Sequence, residues 1–512
     1  MPSLRTNIAA NFIGKICLAA VAVIFPPILV RLLGIESYGL LGIYSSLNAA
    51  LAVFDLGLTA TLTREMARLS GDDTGEAGPA LRDMTRTFEL VFWAIGICVG
   101  GLVFLAAPII SNHWIHARTL RPEVVTSSVR LIGVVLALQW PGGMYNGGLL
   151  GLQRQISANV IQAIGVTLRF AGGAAILWKI SPTIDAFFTW QAGVAGAQTI
   201  VTGVFLLKSL PKTDSRGTFR RSALLANWRY SAGASIITLL AMILTQADKA
   251  VVSKILPLED FGYYTLAWTL CGGLGLFVAP VFIAVFPRLA QLARQNDAPQ
   301  IKRLYHSSCQ LVSVALLPAC AVLTVFSREV LWAWTGNLTT VAAIRPVVIA
   351  VAIGTTLNGL MSIPYALQLA YGWTRLAAWA NGIAVVVIVP LTIVLAKTFG
   401  TVGAACGWLV LNTGYVIFII RVMHTRLLKT EQRRWYSVDV ALPLSGALLA
   451  VLPIRIIVAA PSGRGASLIL VVVAAVAAIL GAATASPSIR RGALDARSRW
   501  SLRRRPDHRV RP

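Results

Sequence analysis

Of the 512 residues, 56 % are hydrophobic and only 13 % are charged, with a mean hydropathy of +0.72, which excludes a soluble globular protein. A formal net charge of +25 would suit a nucleic-acid ligand, but Lys and Arg cluster in short segments between long apolar runs, where they follow membrane topology instead. The runs are continuous, not alternating with period two, so they read as helices and not as barrel strands.

About fourteen runs reach the roughly 20 apolar residues that cross a hydrocarbon core. The fold class expected is therefore an all-α polytopic membrane protein. The first run, about 8–30, follows a short segment with one Arg and continues through Pro26 and Pro27 without a small-residue cleavage pattern, so it reads as an uncleaved helix and not as a signal peptide. Lys15 lies inside it. The second, about 39–62, carries Asp55 and ends in Arg64, Glu65 and Arg68. Each of these two ionisable residues sits roughly 10 Å from the nearer membrane face, where charge is costly and is by default functional or paired; a Lys15–Asp55 pair is one reading and a role in handling substrate or a cation the other.

The third run, about 87–110, leads into a loop with His113 and His116, which have no nearby Cys or carboxylate partner and read as loop residues, not metal ligands. The fourth, about 129–152, holds Gly143, Gly147 and Gly151 at four-residue spacing, which strips one face for close approach of a neighbour, and Pro141 within it invites a kink. In the fifth, about 156–178, Arg169 falls near the bilayer midplane with no acid in its own helix. An unpaired guanidinium at that depth calls for a water-filled cavity or an anion, and its planar fork suits phosphate oxygens. A sixth run ends near 207.

The basic segment 208–230 reads as a linker held against anionic lipid headgroups. Beyond it, Lys254-Ile-Leu-Pro-Leu-Glu-Asp-Phe-Gly262 repeats Arg31-Leu-Leu-Gly-Ile-Glu-Ser-Tyr-Gly39 at an offset of 223 residues, and Tyr145, Arg154 and Asn159 find counterparts in Tyr365, Arg375 and Asn381. The chain thus reads as two homologous halves, a two-lobed transporter with its site between the lobes. The expected domains are a lobe at 1–207, the linker 208–230, a second lobe at 231–430, two extra helices at 431–485 and a basic tail at 486–512 in contact with anionic lipid. Asp248 and Lys249 lie in the seventh run. Neighbours on a helix point about 100° apart, so Lys249 reads either as part of a basic cavity or as snorkelling outward, and Asp248 either as a site for a proton or sodium ion or as the partner of another helix. The six cysteines sit within or beside apolar runs, as packing residues do. Lys and Arg favour one set of alternate loops by two to one even without the tail, so both termini are expected on the cytoplasmic side. There is no G-x-x-x-x-G-K-[ST] loop and hence no ATP motor in the chain.

Arg31–Gly39, Phe54-Asp-Leu-Gly-Leu58 with Arg64, Gly148-Leu-Leu-Gly-Leu-Gln-Arg154 with Asn159, Asp248 with Leu258–Gly262, and Phe399-Gly-Thr-Val-Gly-Ala-Ala405 together resemble the polysaccharide flippases of the multidrug/oligosaccharidyl-lipid/polysaccharide exporter superfamily, O-antigen transporters among them. The resemblance spans nearly the whole chain apart from the tail. It implies twelve or fourteen helices in two pseudo-symmetric lobes around a central cavity, in a bacterial inner membrane. The implied substrate is a polyprenyl-diphosphate-linked oligosaccharide, carried from the cytoplasmic to the periplasmic leaflet by alternating access, with proton or sodium as the coupling ion where there is one, and with other polysaccharide-assembly membrane proteins as partners. Neither nucleic acid nor a cofactor enters this scheme, and no bond is made or broken. On the residues, Arg169, Lys15 and Lys249 are candidates for the diphosphate, and Asp248 and Asp55 for the coupling cation. A drug antiporter of the same superfamily would favour an acidic cavity, whereas the charges within the helices lean basic. A polymerase of the same pathway would need a large outer loop, and a structural scaffold would leave the buried charges unexplained.

Overall fold

The computed structural model describes residues 20–55, 57–70, 77–211, 217–459 and 461–491, by backbone alone at 77 and 221–237. Lys15, Cys17 and the tail beyond Arg491 lie outside the described residues, as does part of the linker. Eleven helices among the described residues are long and apolar enough to cross a membrane. The fold is all-α and membrane-spanning. One of the eleven, Thr374–Arg426, is broken at Gly400, whose φ of 60° is left-handed and non-helical, a backbone that glycine adopts without strain, so this span is two helices.

Contacts divide the chain into two units. The first takes in residues up to Thr269 together with Thr392–Thr401, and the second takes the remainder. The first unit begins with α1 (Ala20–Leu33) and α2 (Ile35–Leu51), joined at Gly34 alone, whose φ of 80° turns the chain. There follow α3 (Leu58–Leu69), α4 (Ala77–Ile109), α5 (Pro122–Gly151), α6 (Gln155–Lys179) and α7 (Ile184–Ser209). Then come α8 (Arg221–Ile255) and α9 (Leu258–Gly272), the latter passing into the second unit at its end.

The repeated segment does structural service in both of its copies. A Cβ on Gly39 would lie 2.6 Å from the Leu258 carbonyl oxygen, and one on Gly262 would lie 2.2 Å from that of Ile35. The glycine of each copy therefore admits the backbone of the other. The Glu of the first copy, Glu36, is only 6 % exposed. Its carboxylate accepts the backbone N–H of Arg118, of Thr119 at 2.9 Å and of Leu120 at 3.2 Å, and the Thr119 hydroxyl besides. A carboxylate so engaged repays the cost of burial. The loop it holds is also tied to the second copy, since the Leu258 N–H donates to the His116 carbonyl at 2.9 Å and the Lys254 ammonium to that of His113. Packing thus continues across the boundary between the repeats.

The glycines of α5 divide their work. A Cβ on Gly147 would meet Thr59 at 2.6 Å and one on Gly151 the Thr63 carbonyl at 2.6 Å, so these two seat α3, whereas Gly143 faces open space. The helix continues through Pro141. At the end of the linker, Asp83 of α4 accepts the Thr218 N–H at 2.6 Å and pairs with Arg220 at 2.6 Å. That part of the linker is docked on protein.

In the second unit, α10 (Gly275–Gln295) and α11 (Ala298–Val325) precede α12 (Ser327–Thr335), α13 (Leu338–Leu360) and α14 (Ser362–Ala370). The broken span Thr374–Arg426 supplies α15 and α16, followed by α17 (Gln432–Ile457) and α18 (Arg464–Ala485). The last two close on each other through Gly446 and Gly481, where an added Cβ would lie 2.3 and 2.2 Å from the opposite carbonyl oxygen, and they bury Ala447, Val451, Ala474 and Ala478 against Phe326. A polar cluster pins α17 to α11. His306, 1 % exposed, lies between Asp439, fully buried on a π turn of α17, and Glu431 at 3.1 Å. Gln310 donates to the other Asp439 oxygen at 2.8 Å, and Lys302 pairs with Glu431 at 2.8 Å. The five cysteines among the described residues are free thiols.

Two outcomes follow from this packing. Gly262→Val forces a side chain onto a backbone oxygen that cannot swing aside, at a cost of roughly 1–3 kcal/mol or more; the thermal midpoint in detergent should fall by several degrees, while Gly101→Ala, whose Cβ meets nothing within 4 Å, should leave it unchanged. Glu431, between two spans, is held below the usual carboxylate range, foremost by the hydrogen bond from Lys302, against the opposing effect of burial and with help from the Lys302 charge and His306. A carboxyl with a depressed folded pKa stabilises above its unfolded pKa and loses that contribution as pH falls through the folded value. The midpoint of the wild-type protein should therefore exceed that of Glu431→Gln at neutral pH, and the gap should close below the ordinary value of 4.5.

Candidate functional site

Within the first unit, α2 to α7 enclose a cavity of about 540 Å³. Its wall is polar, because five carboxamides face it: Asn48 of α2, Gln139 and Asn146 of α5, Gln162 of α6 and Gln198 of α7, with Tyr44, Phe92 and Trp140 as its aromatic members. The Phe92 and Trp140 rings stack at 6.2 Å. Among ionisable side chains, Arg169 and Asp55 line it.

Arg169 sits near the middle of α6 on a π turn, Leu168–Gly172. A π turn disturbs the carbonyl ladder, and such turns recur at functional positions. Two side chains of α7 answer the disturbance: the Trp190 indole donates to the Leu168 carbonyl at 2.8 Å and the Gln191 amide to that of Arg169 at 3.2 Å. The guanidinium reaches Gln139, whose Oε1 accepts from Arg169 Nη1 at 2.5 Å and from the Tyr44 hydroxyl at 2.8 Å. Gln139 Nε2 in turn donates to Asn48. Gln139 is thus the hub joining α2, α5 and α6. Arg169 Nε and Trp140 Nε1, both buried donors, have no hydrogen-bond partner among the described residues, and neither has the buried acceptor Gln198 Oε1. Unmet buried donors cost free energy, and beside a cavity they select a ligand rich in acceptors.

Asp55 belongs to the same cavity, but its Oδ1 accepts the Thr59 N–H at 3.1 Å and the Thr59 hydroxyl at 2.6 Å. It closes the first turn of α3 in the manner of a cap. Asp248 and Lys249 are placed apart from these residues and do not line the cavity. They meet each other: Lys249 Nζ lies 3.2 Å from Asp248 Oδ1, donates to the Thr245 carbonyl at 2.8 Å and sits 3.6 Å above the Trp268 ring. Asp248 Oδ2 accepts the Tyr264 hydroxyl at 2.5 Å. Instead of snorkelling, the lysine folds back over Trp268, so adjacent residues pair despite their divergent directions. Of the five residues that sequence singles out, the structure brings Arg169 and Asp55 to one cavity, joins Asp248 to Lys249 elsewhere, and does not describe Lys15. Reading the sequence for charge overlooks the carboxamides; amides recurring inside otherwise apolar runs are the signal that could have found them.

Residues 4–293 match a family model described as "Polysaccharide biosynthesis protein". A Shigella flexneri protein described as an O-antigen transporter is 23 % identical over 79 % of this chain and 94 % of its own length. A Haloferax volcanii protein described as a low-salt glycan biosynthesis flippase is 26 % identical over 50 % of this chain and 52 % of its own. Among solved structures, the lipid II flippase MurJ in an inward closed conformation superposes with a TM-score of 0.70 at 14 % identity, over 94 % of this chain and 98 % of that one. An inward-facing multidrug transporter of the MATE family gives 0.66 at 14 %, over 81 % and 96 %. At these identities the structural likeness shows a shared fold.

If Gln139 is the hub, Gln139→Leu strands the Arg169 guanidinium, and Arg169→Met should cost less in that background than in the wild type. Chemical denaturation of the two single variants and the double should give a coupling above about 0.5 kcal/mol; additive effects would mean that the two side chains do not cooperate.

Proposed function

The chain belongs to the polysaccharide biosynthesis protein family, and from that membership and the chemistry of the cavity we propose that it is a flippase for polyprenyl-diphosphate-linked oligosaccharides, moving them from the cytoplasmic to the periplasmic leaflet of a bacterial inner membrane. The observation that carries the reading is the buried, incompletely partnered Arg169 guanidinium in a carboxamide-lined cavity within the membrane bundle. Carboxamides both donate and accept, which matches the hydroxyl and acetamido groups of sugars, and a guanidinium fork matches diphosphate oxygens. Arg169 takes the diphosphate while Asn48, Asn146, Gln162 and Gln198 receive the saccharide.

Transport by this scheme forms and breaks no covalent bond. Alternating access of the two repeats, 1–207 and 231–430, carries the substrate across; the basic linker, docked on Asp83 at its 218–220 end, and the tail face the cytoplasm beside anionic lipid. Asp55, in the cavity and already bonded to Thr59, is our first candidate to exchange a proton or sodium ion with each cycle; Asp248 is the second, and its pairing with Lys249 makes it the more closed of the two. Lys249, its charge met by Asp248, is a weaker diphosphate candidate than Arg169. A cavity selecting an organic cation would carry an acidic excess, which a single carboxylate in a cavity that also holds a guanidinium does not supply.

The test is leaflet-to-leaflet movement of a lipid-linked oligosaccharide in vesicles reconstituted with the purified protein, compared with empty vesicles. The wild-type protein should accelerate it. Arg169→Ala should slow it about ten-fold or more, since a hydrogen bond to a charged group contributes roughly 1.5–3 kcal/mol, and Arg169→Lys should restore part of the rate by returning the charge without the fork. Wild-type movement in a folded Arg169→Ala variant would remove Arg169 from the site, and no movement by the wild-type protein with any lipid-linked saccharide would remove the flippase reading.

A further inference from the structure

On the flank of the same unit, α6 and α7 form a second concavity, an apolar groove of about 690 Å³. Helix α6 is a partition between the two. Ile161, Ile164 and Leu168 line the groove, whereas Gln162, Val166 and Arg169 line the polar cavity. Leu168 and Arg169, adjacent on the π turn, thus look into different compartments. Ile164, Leu168 and, on α7, Val201 are 55, 47 and 43 % exposed, so the groove is open along its length.

The compartments share one residue, Gln198. Its Nε2 donates to Gln162 Oε1 at 3.1 Å, and its buried Oε1 has no partner among the described residues. Gly165 makes the placement possible, because a Cβ there would lie 2.3 Å from the Gln198 amide. A polar side chain is therefore threaded through the seam between α6 and α7 and left with an unmet acceptor, where apolar packing would have sealed the seam. One ligand that fills both compartments must be polar and anionic at one end and a long hydrocarbon at the other, joined across this seam.

We propose that the α6–α7 groove is a binding subsite for the isoprenoid chain of the carried lipid, with the Gln162–Gln198 pair as the polar seam where the chain leaves the cavity that holds its diphosphate and sugars. This rests on the flippase reading above and adds where the tail goes. The pair parts to admit the linkage, and the exposed groove lets the chain stay in contact with the bilayer while the head is enclosed.

The groove can be filled without disturbing the fold. Gly193 lines it, and a Cβ there meets nothing within 4 Å, so Gly193→Phe places a ring in the space of the chain. The experiment uses full-length protein in lipid nanodiscs and a diphosphate-linked saccharide whose polyprenyl chain carries a diazirine. Photolabelling should map to 161–168 and 190–201, be displaced by unlabelled lipid-linked saccharide, and fall at least five-fold in Gly193→Phe, while the same saccharide diphosphate on a butyl ester binds wild type and variant equally. Equal labelling of these segments by a diazirine phospholipid, undisplaced by lipid-linked saccharide, would show a bilayer acyl chain only and overturn the subsite, as would undiminished labelling of Gly193→Phe. If the butyl analogue fails to bind even the wild-type protein, the flippase reading fails first and the subsite with it.

Discussion

The first unit depends on two close backbone approaches, made at two glycines that are equivalent in the repeat. Gly39 lies against the Leu258 backbone and Gly262 against that of Ile35, each at a distance no side chain allows. Hydrocarbon gives helices little reason to associate through apolar side chains, since lipid tails solvate those equally well, and close backbone approach is what remains. Once the two copies meet, the rest of that end is determined: Glu36 is buried where the 118–120 amides can surround it, and the same loop reaches Leu258. The sequence motif is thus a joint between the repeats as well as a connection between helices. The glycine pairs at Gly100 and Gly133, and at Gly446 and Gly481, use the same device within their own units.

Polar groups in the bundle fall into two kinds, those answered by a polar neighbour and one that faces a cavity. Asp248 with Lys249 and Tyr264, His306 with Asp439 and Glu431, and Arg455 with Glu329 at 2.9 Å are clusters in which basic and acidic side chains meet. A buried pair of this sort specifies geometry more than it stabilises, because desolvation offsets most of the attraction. Arg169 differs. Its neighbours are neutral amides and a phenol, one of its donors is unmet, and it faces a cavity. Excess charge maintained in that setting is what an anionic ligand would neutralise.

Apolar runs and repeats are legible in a single chain, and they pointed to the bundle and to the paired segments 31–39 and 254–262, while charge within a run singled out Arg169. The pairing of Asp248 with Lys249 was not legible, because helical geometry gives the direction of Cβ and not the course of a long side chain that can fold over Trp268. The role of Gln139 was hidden because a neutral amide in an apolar run carries no cost visible in composition; its worth appears only when Tyr44, Asn48 and Arg169 converge on it. His306 and Asp439 stand 133 residues apart, and no periodicity relates them. The three α5 glycines looked alike in sequence and were sorted by their neighbours, two seating α3 and Gly143 opening onto the cavity.

Helix α6 shows how one element can serve two solvents. A regular helix presents a fixed 100° advance per residue, which is enough to place isoleucines on one side and glutamines on the other but leaves each carbonyl committed to its own ladder. The π turn at Leu168–Gly172 loosens that commitment where Arg169 stands, and Trp190 and Gln191 of α7 take up the loosened carbonyls. The same α7 that repairs the turn contributes Gln198 to the seam one face away. An arginine placed in the apolar interior of the bundle, a wide turn that admits it, and the side chains that repair that turn form a single arrangement. Removing any one member would leave the others without a physical reason to be there.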